Sequence, residues 1–220
     1  MVQQRRPTQG IIFDMDNTLL KSFINFPAMK HAIFDFLVDQ SILPSTLPIE
    51  HHTTATIIEH AKQLHLDVEL EQQVWSIASQ FELAGMKGAG LEAGVLDFLA
   101  SIHNKFTLAV VTNNALTAAQ HALQETEIDR YFDLIVGREQ MTSLKPSPSG
   151  FRYALDHFAH IPIDSWISLG DSWIDGKGSN DAGIPFVSYQ TDLNIMKNRG
   201  VMAIGRIGEI NELKQFLQYL

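Results

Sequence analysis

Acidic, basic and hydroxyl residues that can do chemistry occur in four short clusters along the 220-residue chain. Each cluster lies at or just beyond the end of a short apolar run, where a buried strand would give way to a polar loop. Because the carboxyl ends of parallel strands open into one crevice of a sheet, we expect the four clusters to meet there. The clusters are Asp14 with Asp16, Thr112 with Asn113, Lys145 alone, and Asp171 with Asp175.

The first cluster, Asp14 with Asp16, has the composition of a nucleophilic site. With one residue between them at a strand end, one carboxylate can face a metal ion and the substrate while the other faces a leaving group. Phosphate monoesters hydrolyse so slowly in water that enzymes reach accelerations of up to ~10²¹-fold, and an acyl phosphate on a carboxylate divides the reaction into two steps. The pair therefore offers a route to phosphate ester hydrolysis.

The other clusters supply what a phosphate dianion needs in order to approach a group of acids. Mg²⁺ and a lysine would neutralise the carboxylates. Asp171 is placed to share a hard cation with Asp14, and Lys145 can reach a phosphate oxygen as a point charge. The Thr112 hydroxyl and the backbone N–H of the next residue, Asn113, can donate hydrogen bonds to the same group.

Together the clusters resemble the four motifs of the haloacid dehalogenase superfamily, here DMDNTL, VVTNN, LKP and GDSWID. Their order and spacing fit across nearly the whole chain. The resemblance implies that Asp14 is the nucleophile and a metal ligand. It implies that Asp16 is the general acid and base and offers its backbone carbonyl to Mg²⁺. The remaining implied roles are phosphate binding by Thr112, Asn113 and Lys145, and metal binding by Asp171 and Asp175.

Two positions depart from the family pattern. Family members commonly have glycine where Asn17 stands, and asparagine tolerates unusual backbone angles better than most residues. The branch that contains phosphoglycolate phosphatase and β-phosphoglucomutase often has an acid where Lys21 stands, which weakens an analogy with the phosphoglycolate enzymes. Asp16 carries more weight, because haloacid dehalogenases generally lack this second aspartate. Its presence favours phosphate esters over carbon–halogen bonds as the target.

Short buried strands that alternate with amphipathic helices are predicted to position these residues. Apolar residues recur at helical spacing over 95–102 and over 151–158. This alternation predicts a doubly wound, Rossmann-like parallel sheet of the α/β class, closed by a last helix over 210–220. The predicted strands span 10–13, 107–111, 134–136, 166–169 and 185–187.

Residues 22–90 break the alternation because their periodicity is helical only. The borders of this stretch are loop-like, with Asn25-Phe26-Pro27 at one end and several glycines at the other. We therefore predict an all-helical cap over 22–90, inserted in an α/β catalytic core of residues 1–21 and 91–220. By resemblance it is like the small cap of the phosphoglycolate phosphatase and β-phosphoglucomutase branch.

Composition and charge limit which binding partners and ligands the sequence is compatible with. A formal net charge of −9 without a Lys/Arg run disfavours nucleic-acid binding. The lack of cysteine excludes disulfides and Cys-ligated zinc. The sequence indicates neither a signal peptide nor a membrane span, so we expect a cytoplasmic protein. The resemblance implies that this protein acts on a small phosphorylated substrate. The sequence does not indicate an oligomeric state.

Three other functions are compatible with parts of the pattern. A phosphomutase uses the same aspartyl phosphate but returns the group to a sugar, and no segment of 22–90 resembles the sugar-recognising loop of β-phosphoglucomutase. A signalling receiver also combines acids, Thr or Ser, and Lys at a parallel sheet edge, but it needs no helical insertion. A binding protein derived from this fold would be free to lose Asp14 or Asp16. Mg²⁺-dependent hydrolysis is therefore the leading hypothesis.

Overall fold

The computed structural model describes residues 7–217. The chain forms two compact units, one made of Met1–Ser22 with Ala89–Leu220 and the other made of Phe23–Gly88. Within residues 7–217, no helix combines the length and the apolar character that crossing a bilayer requires.

The first unit is built on a six-stranded parallel sheet, with a separate antiparallel pair of two-residue strands. The strands are β1 (Gly10–Phe13), β2 (Leu20–Lys21), β3 (Gly90–Leu91), β4 (Thr107–Val111), β5 (Leu134–Val136), β6 (Trp166–Gly170), β7 (Phe186–Tyr189) and β8 (Ala203–Ile207). The order in the large sheet is β5-β4-β1-β6-β7-β8, and β2 pairs with β3. The order reverses direction at β1, which is where ligands bind in folds of this kind.

Helices connect the strands. The α-helices are α1 (Phe26–Asp39), α2 (Thr54–Gln63), α3 (Val68–Met86), α4 (Val95–Ile102), α5 (Leu116–Glu125), α6 (Ser149–His157), α7 (Trp173–Asp181) and α8 (Leu193–Asn198). Short 3₁₀ segments span Ile49–His51, Asp129–Tyr131, Arg138–Gln140, Ile163–Ser165 and Ile210–Phe216. The predicted doubly wound α/β fold is confirmed.

The register of the central strands brings their ends to one level. Phe13, the last residue of β1, pairs with Val110 of β4 and with Leu169 of β6. The Asp14 backbone N–H continues this ladder by donating to the Leu169 carbonyl at 2.9 Å. Every residue of β1 is buried, as expected for a strand with neighbours on both sides. The polar residues that follow the three strands therefore emerge side by side.

The structure differs from the sequence prediction near the carboxyl-terminal end of the first unit. The predicted closing helix over 210–220 is a 3₁₀ segment, Ile210–Phe216, in which Ile210 and Leu213 are buried; Leu220 lies outside the described residues. Buried residues three apart suit a 3₁₀ helix as well as an α-helix, so the apolar spacing did not distinguish them. The edge strand β8 was not predicted, because its first four residues alternate between partial burial and exposure and only Ile207 is buried, so it lacks a buried apolar run.

The second unit contains α1, α2 and α3, and its residues 23–88 form helices and loops without a strand. Helix α1 packs against both α2 and α3. Side-chain caps start all three helices: Asn25 accepts from the Ala28 N–H at 3.0 Å and Asp67 from the Leu70 N–H at 2.8 Å, while Thr53 forms a capping box. The buried residues of its core include Ile33, Leu37, Ile57, Ala61 and Val74.

Candidate active site

The loop after β1 holds Asp14 and Asp16 in a tight turn. The Asn17 N–H donates to the Leu20 carbonyl at 2.7 Å, and the Leu20 N–H donates to the Met15 carbonyl at 2.9 Å. This turn places Asn17 at a φ of 56°, in the left-handed region that favours glycine and that asparagine tolerates better than most residues. Asp14 and Asp16 are both buried, with 9% and 8% of their surface exposed.

Lys145 joins two aspartates that lie far from it in sequence. Its Nζ donates to Asp14 Oδ1 at 2.5 Å, to Asp175 Oδ1 at 2.6 Å and to the Val111 carbonyl at 2.8 Å. The ammonium group has three hydrogens, so these three acceptors use its full donor capacity. The lysine is buried. Lys145 therefore lies at the centre of the site.

Asp171 and Asp175 come from the end of β6 and the start of α7. The Asp175 Oδ2 atom accepts from the Ser172 N–H at 3.0 Å as part of a capping box. Its Oδ1 atom faces Lys145. Asp175 thus fixes the first turn of α7 and also forms one wall of the site. Single carboxylate oxygens of Asp14, Asp171 and Asp175 lie within 4.8 Å of one another.

Crowding of buried and partly buried acids raises the pKa of two of them. Burial, followed by the negative charge of Asp175, raises the pKa of Asp14 from 3.8 to about 7, although Lys145 opposes the shift. Burial, followed by the charge of Asp14, raises the pKa of Asp171 to about 8. Burial alone would lower the pKa of Lys145, but the neighbouring Asp14 and Asp175 raise it above its ordinary value. One ammonium group therefore does not compensate the surrounding carboxylates.

This imbalance fits a divalent cation. The site offers only oxygen ligands, which Mg²⁺ and Ca²⁺ prefer. They are the carboxylates of Asp14, Asp171 and Asp175, and Asp16 lies in the same loop as Asp14. A cation would supply the positive charge that the buried carboxylates lack. In residues 7–217 no other group of three His, Cys, Asp or Glu side chains converges in this way.

The loop after β4 contributes three consecutive polar residues. Thr112 is buried at the end of the strand, and its hydroxyl oxygen accepts from the Asn114 N–H at 3.2 Å. The Asn113 side chain turns to Lys145 instead. It accepts from the Lys145 N–H at 2.8 Å and donates to the Lys145 carbonyl at 3.1 Å. Only the backbone N–H of Asn113 is therefore a candidate for binding phosphate.

Two residues at the site had no predicted role. The Asn114 Nδ2 atom donates to Asp16 Oδ2 at 2.7 Å, and the Thr18 hydroxyl donates to Asp14 Oδ2 at 3.3 Å. Both are buried. Each lies within a recognised motif, VVTNN or DMDNTL, so membership of the motif was the only sequence signal available for them.

Six of the seven predicted site residues fall on loops at one end of the sheet, and Asp175 lies in the first turn of α7 beside them. Lys145 contacts both Asp14 and Asp175, and Asp171 lies beside these two aspartates. The Asn113 side chain contacts the backbone of Lys145. Thr112 and Asp16 are linked through Asn114, which donates a hydrogen bond to each.

A family model described as haloacid dehalogenase-like hydrolase matches residues 11–189. A phosphoglycolate phosphatase from Rhodobacter capsulatus is 25% identical over 82% of this chain and 83% of its own length. Pyrophosphatase PpaX from Listeria innocua is 22% identical over 89% of this chain and 95% of its own. The crystal structure of a hydrolase from Pseudomonas syringae superposes with a TM-score of 0.71 at 17% identity, covering 96% of this chain and 98% of that one.

Proposed function

Since this chain belongs to the haloacid dehalogenase-like hydrolase family, we propose that it is a Mg²⁺-dependent phosphatase that hydrolyses a small phosphorylated metabolite through an aspartyl phosphate on Asp14. One observation carries the proposal. Asp14 lies within hydrogen-bonding distance of Lys145 and within 4.8 Å of the Asp171 and Asp175 carboxylates. A nucleophile, a fixed cation and a set of hard-metal ligands thus occupy one place.

In the first step, an oxygen of Asp14 attacks phosphorus and the bond from phosphorus to the ester oxygen breaks. Asp16 gives its proton to the departing oxygen, so an alcohol leaves and an acyl phosphate remains on Asp14. In the second step, Asp16 removes a proton from water as the water oxygen attacks phosphorus. Inorganic phosphate leaves, and the Asp14 carboxylate is regenerated.

The other residues hold the charge of the transferring group. Lys145 contributes a positive charge beside Asp14, while the Thr112 hydroxyl and the Asn113 backbone N–H supply hydrogen bonds to phosphoryl oxygens. Mg²⁺ held by Asp14, Asp171, Asp175 and the Asp16 carbonyl would supply positive charge that offsets the phosphate dianion. The raised pKa values of Asp14 and Asp171 fit this arrangement, because a cation favours the ionised carboxylates.

Hydrolysis is proposed over phosphoryl transfer to a sugar because the relatives described above are named as a phosphoglycolate phosphatase and a pyrophosphatase, and both names are those of hydrolases. We further propose that Phe23–Gly88 serves as the substrate-selecting cap. Substitutions in that unit should then change the preference among phosphate esters while leaving formation of the aspartyl phosphate intact.

The proposal is tested with the purified protein, p-nitrophenyl phosphate and acetyl phosphate. Hydrolysis should require Mg²⁺ and stop in EDTA, and Asp14→Asn should abolish it. Acid-quenched wild-type protein should carry a hydroxylamine-sensitive phosphate on the peptide that contains Asp14. The matched control is Asp181→Asn, because Asp181 pairs with Lys177 at the protein surface. Full activity in Asp14→Asn, or turnover only with a sugar bisphosphate, would contradict the proposal.

A further inference from the structure

We propose that Asn114 is a positioning residue that orients the carboxyl group of Asp16 for proton transfer. This inference rests on the proposed function and deepens it, because it assigns a partner to the group that protonates the leaving alcohol. Its basis is one contact: Asn114 Nδ2 donates to Asp16 Oδ2 at 2.7 Å.

The contact is buried and joins distant parts of the chain. Asn114 is 4% exposed and Asp16 is 8% exposed, and they follow different strands, β4 and β1. A hydrogen bond between buried polar groups of two loops lies in a medium of low polarity, where the direction of donor and acceptor has a large energetic effect. The bond therefore fixes the position of the Asp16 side chain relative to the loop after β4.

The backbone of Asn114 is itself held on both sides. Its N–H donates to the Thr112 hydroxyl at 3.2 Å, and its carbonyl accepts from the Arg138 N–H at 2.9 Å. The amide group that reaches Asp16 is thus attached to a backbone that cannot shift without losing two further hydrogen bonds. Pre-positioning of this kind is what a proton-transfer group requires.

The chemistry of the contact defines the role of one Asp16 oxygen. A carboxamide nitrogen donates and does not accept, so Oδ2 acts as the acceptor in this bond. The amide therefore fixes the position of Oδ2 and sets which way the carboxyl plane of Asp16 is turned.

The neighbouring asparagine shows that the arrangement is specific to one position. Asn113 directs its side chain to the backbone of Lys145, whereas Asn114 directs its side chain to Asp16. The two adjacent amides thus support two different charged groups of the site. Exchange of either one for alanine should affect a different part of the reaction.

The test compares the first turnover of p-nitrophenyl phosphate, which has a good leaving group, with that of phenyl phosphate, which has a poor one. General acid–base catalysis contributes roughly 10²–10⁴-fold, and the poor leaving group depends on it more. Asn114→Ala should slow phenol release at least about 10-fold more than p-nitrophenol release, with KM for both esters little changed. Asn114→Leu, which keeps roughly the side-chain volume but removes the amide donor, should behave in the same way.

A double-mutant cycle separates this role from a loss of stability. In an Asp16→Ala background, Asn114→Ala should cause no further loss of phenol release, because the group that it orients is absent. The control is Asn180→Ala, since the Asn180 side chain also makes two hydrogen bonds to a backbone, that of Met202, and lies outside the site. It should leave the ratio of the two esters unchanged.

The assignment of Asn114 would be overturned if Asn114→Ala slowed the release of phenol and p-nitrophenol equally. It would also be overturned if Asn114→Ala slowed phenol release as much in the Asp16→Ala background as in the wild-type protein. Either result would leave the phosphatase proposal intact. A wild-type protein that releases neither phenol nor p-nitrophenol with Mg²⁺ would overturn the phosphatase proposal, and the assignment of Asn114 with it. The wild-type measurement therefore distinguishes the two failures.

Discussion

Asn113 and Lys145 hold each other through two hydrogen bonds between the loop after β4 and the segment before α6. The Lys145 N–H donates to Asn113 Oδ1 at 2.8 Å, and Asn113 Nδ2 donates to the Lys145 carbonyl at 3.1 Å. Both bonds go to the backbone of Lys145. They therefore determine where the lysine side chain begins, and its Nζ reaches Asp14 and Asp175 from that point.

Asn113→Ala should lower stability and weaken phosphate binding together. Each hydrogen bond contributes about 0.5–1.5 kcal/mol net, so the loss of two should cost roughly 1–3 kcal/mol in urea unfolding. KM for p-nitrophenyl phosphate should rise, because Lys145 is no longer fixed. Asn180→Ala loses a similar pair of bonds to Met202 and should be destabilised without a change in KM. The same KM shift in both variants would count against this role of Asn113.

Lys145→Met should destabilise the metal-free protein by about 3–5 kcal/mol, because removal of one partner leaves buried charge without compensation. Activity should also be lost. The loss of stability in Lys145→Met, measured by urea unfolding in EDTA, should become smaller as the pH is lowered, since protonation of Asp14 removes part of the uncompensated negative charge. Lys177→Met removes an exposed pair with Asp181 and should cost less than about 1 kcal/mol. An equal loss of unfolding free energy in Lys145→Met and Lys177→Met would show that removal of the buried lysine is no more destabilising than removal of an exposed one.

Binding of Mg²⁺ should release protons. Asp14 and Asp171 have pKa values of about 7 and about 8 in the metal-free fold, and a cation requires both carboxylates ionised. At pH 6.5 between about one and two protons should leave per ion. Calorimetry in two buffers with different ionisation heats counts them, and apparent Mg²⁺ affinity should rise with pH. Identical heats in the two buffers would refute the coupling.

The raised pKa values of Asp14 and Asp171 also determine how the stability of the metal-free protein depends on pH. The folded pKa values of Asp14 and Asp171 lie above the ordinary 3.8, so between about pH 4 and 8 the folded protein binds more protons than the unfolded chain. These two groups should therefore make the metal-free protein more stable as the pH falls through that window. The trend should weaken in Asp14→Asn. Thermal unfolding in EDTA at several pH values measures both slopes, and equal slopes would contradict the prediction.

Gly170→Ala should disturb the site through Asp175. A Cβ at residue 170 would lie 2.6 Å from the Asp175 Cβ, which forces the aspartate or the end of β6 to move. Overpacking of this kind costs about 1–3 kcal/mol, and Mg²⁺ affinity should fall with it. Gly90→Ala is the matched control, because a Cβ at residue 90 meets no atom within 4 Å. Unchanged Mg²⁺ affinity in Gly170→Ala would show that Asp175 need not hold its present position.

Sequence reasoning predicted the central strands because each is a buried apolar run that stops at a polar residue, as β1 stops at Asp14. It missed β8, since an edge strand with Ile204 and Arg206 exposed lacks such a run. At the site, residue types identified the charged groups, but not the contact from Asn114 to Asp16. That hydrogen bond depends on the exact placement of two loops, which no local pattern encodes.

The position of β1 in the sheet also bears on how the protein is made. Gly10 pairs with Thr107 on one side and with Trp166 on the other, so the strand that leads to Asp14 has both of its neighbours in later parts of the chain. Helices α1 to α3 emerge from the ribosome before either neighbour, and α1 packs against both α2 and α3. Pairing across such distances is slow to form. During synthesis the apolar strand β1 therefore leaves the ribosome well before β4 and β6, the two strands that cover its edges in the folded protein.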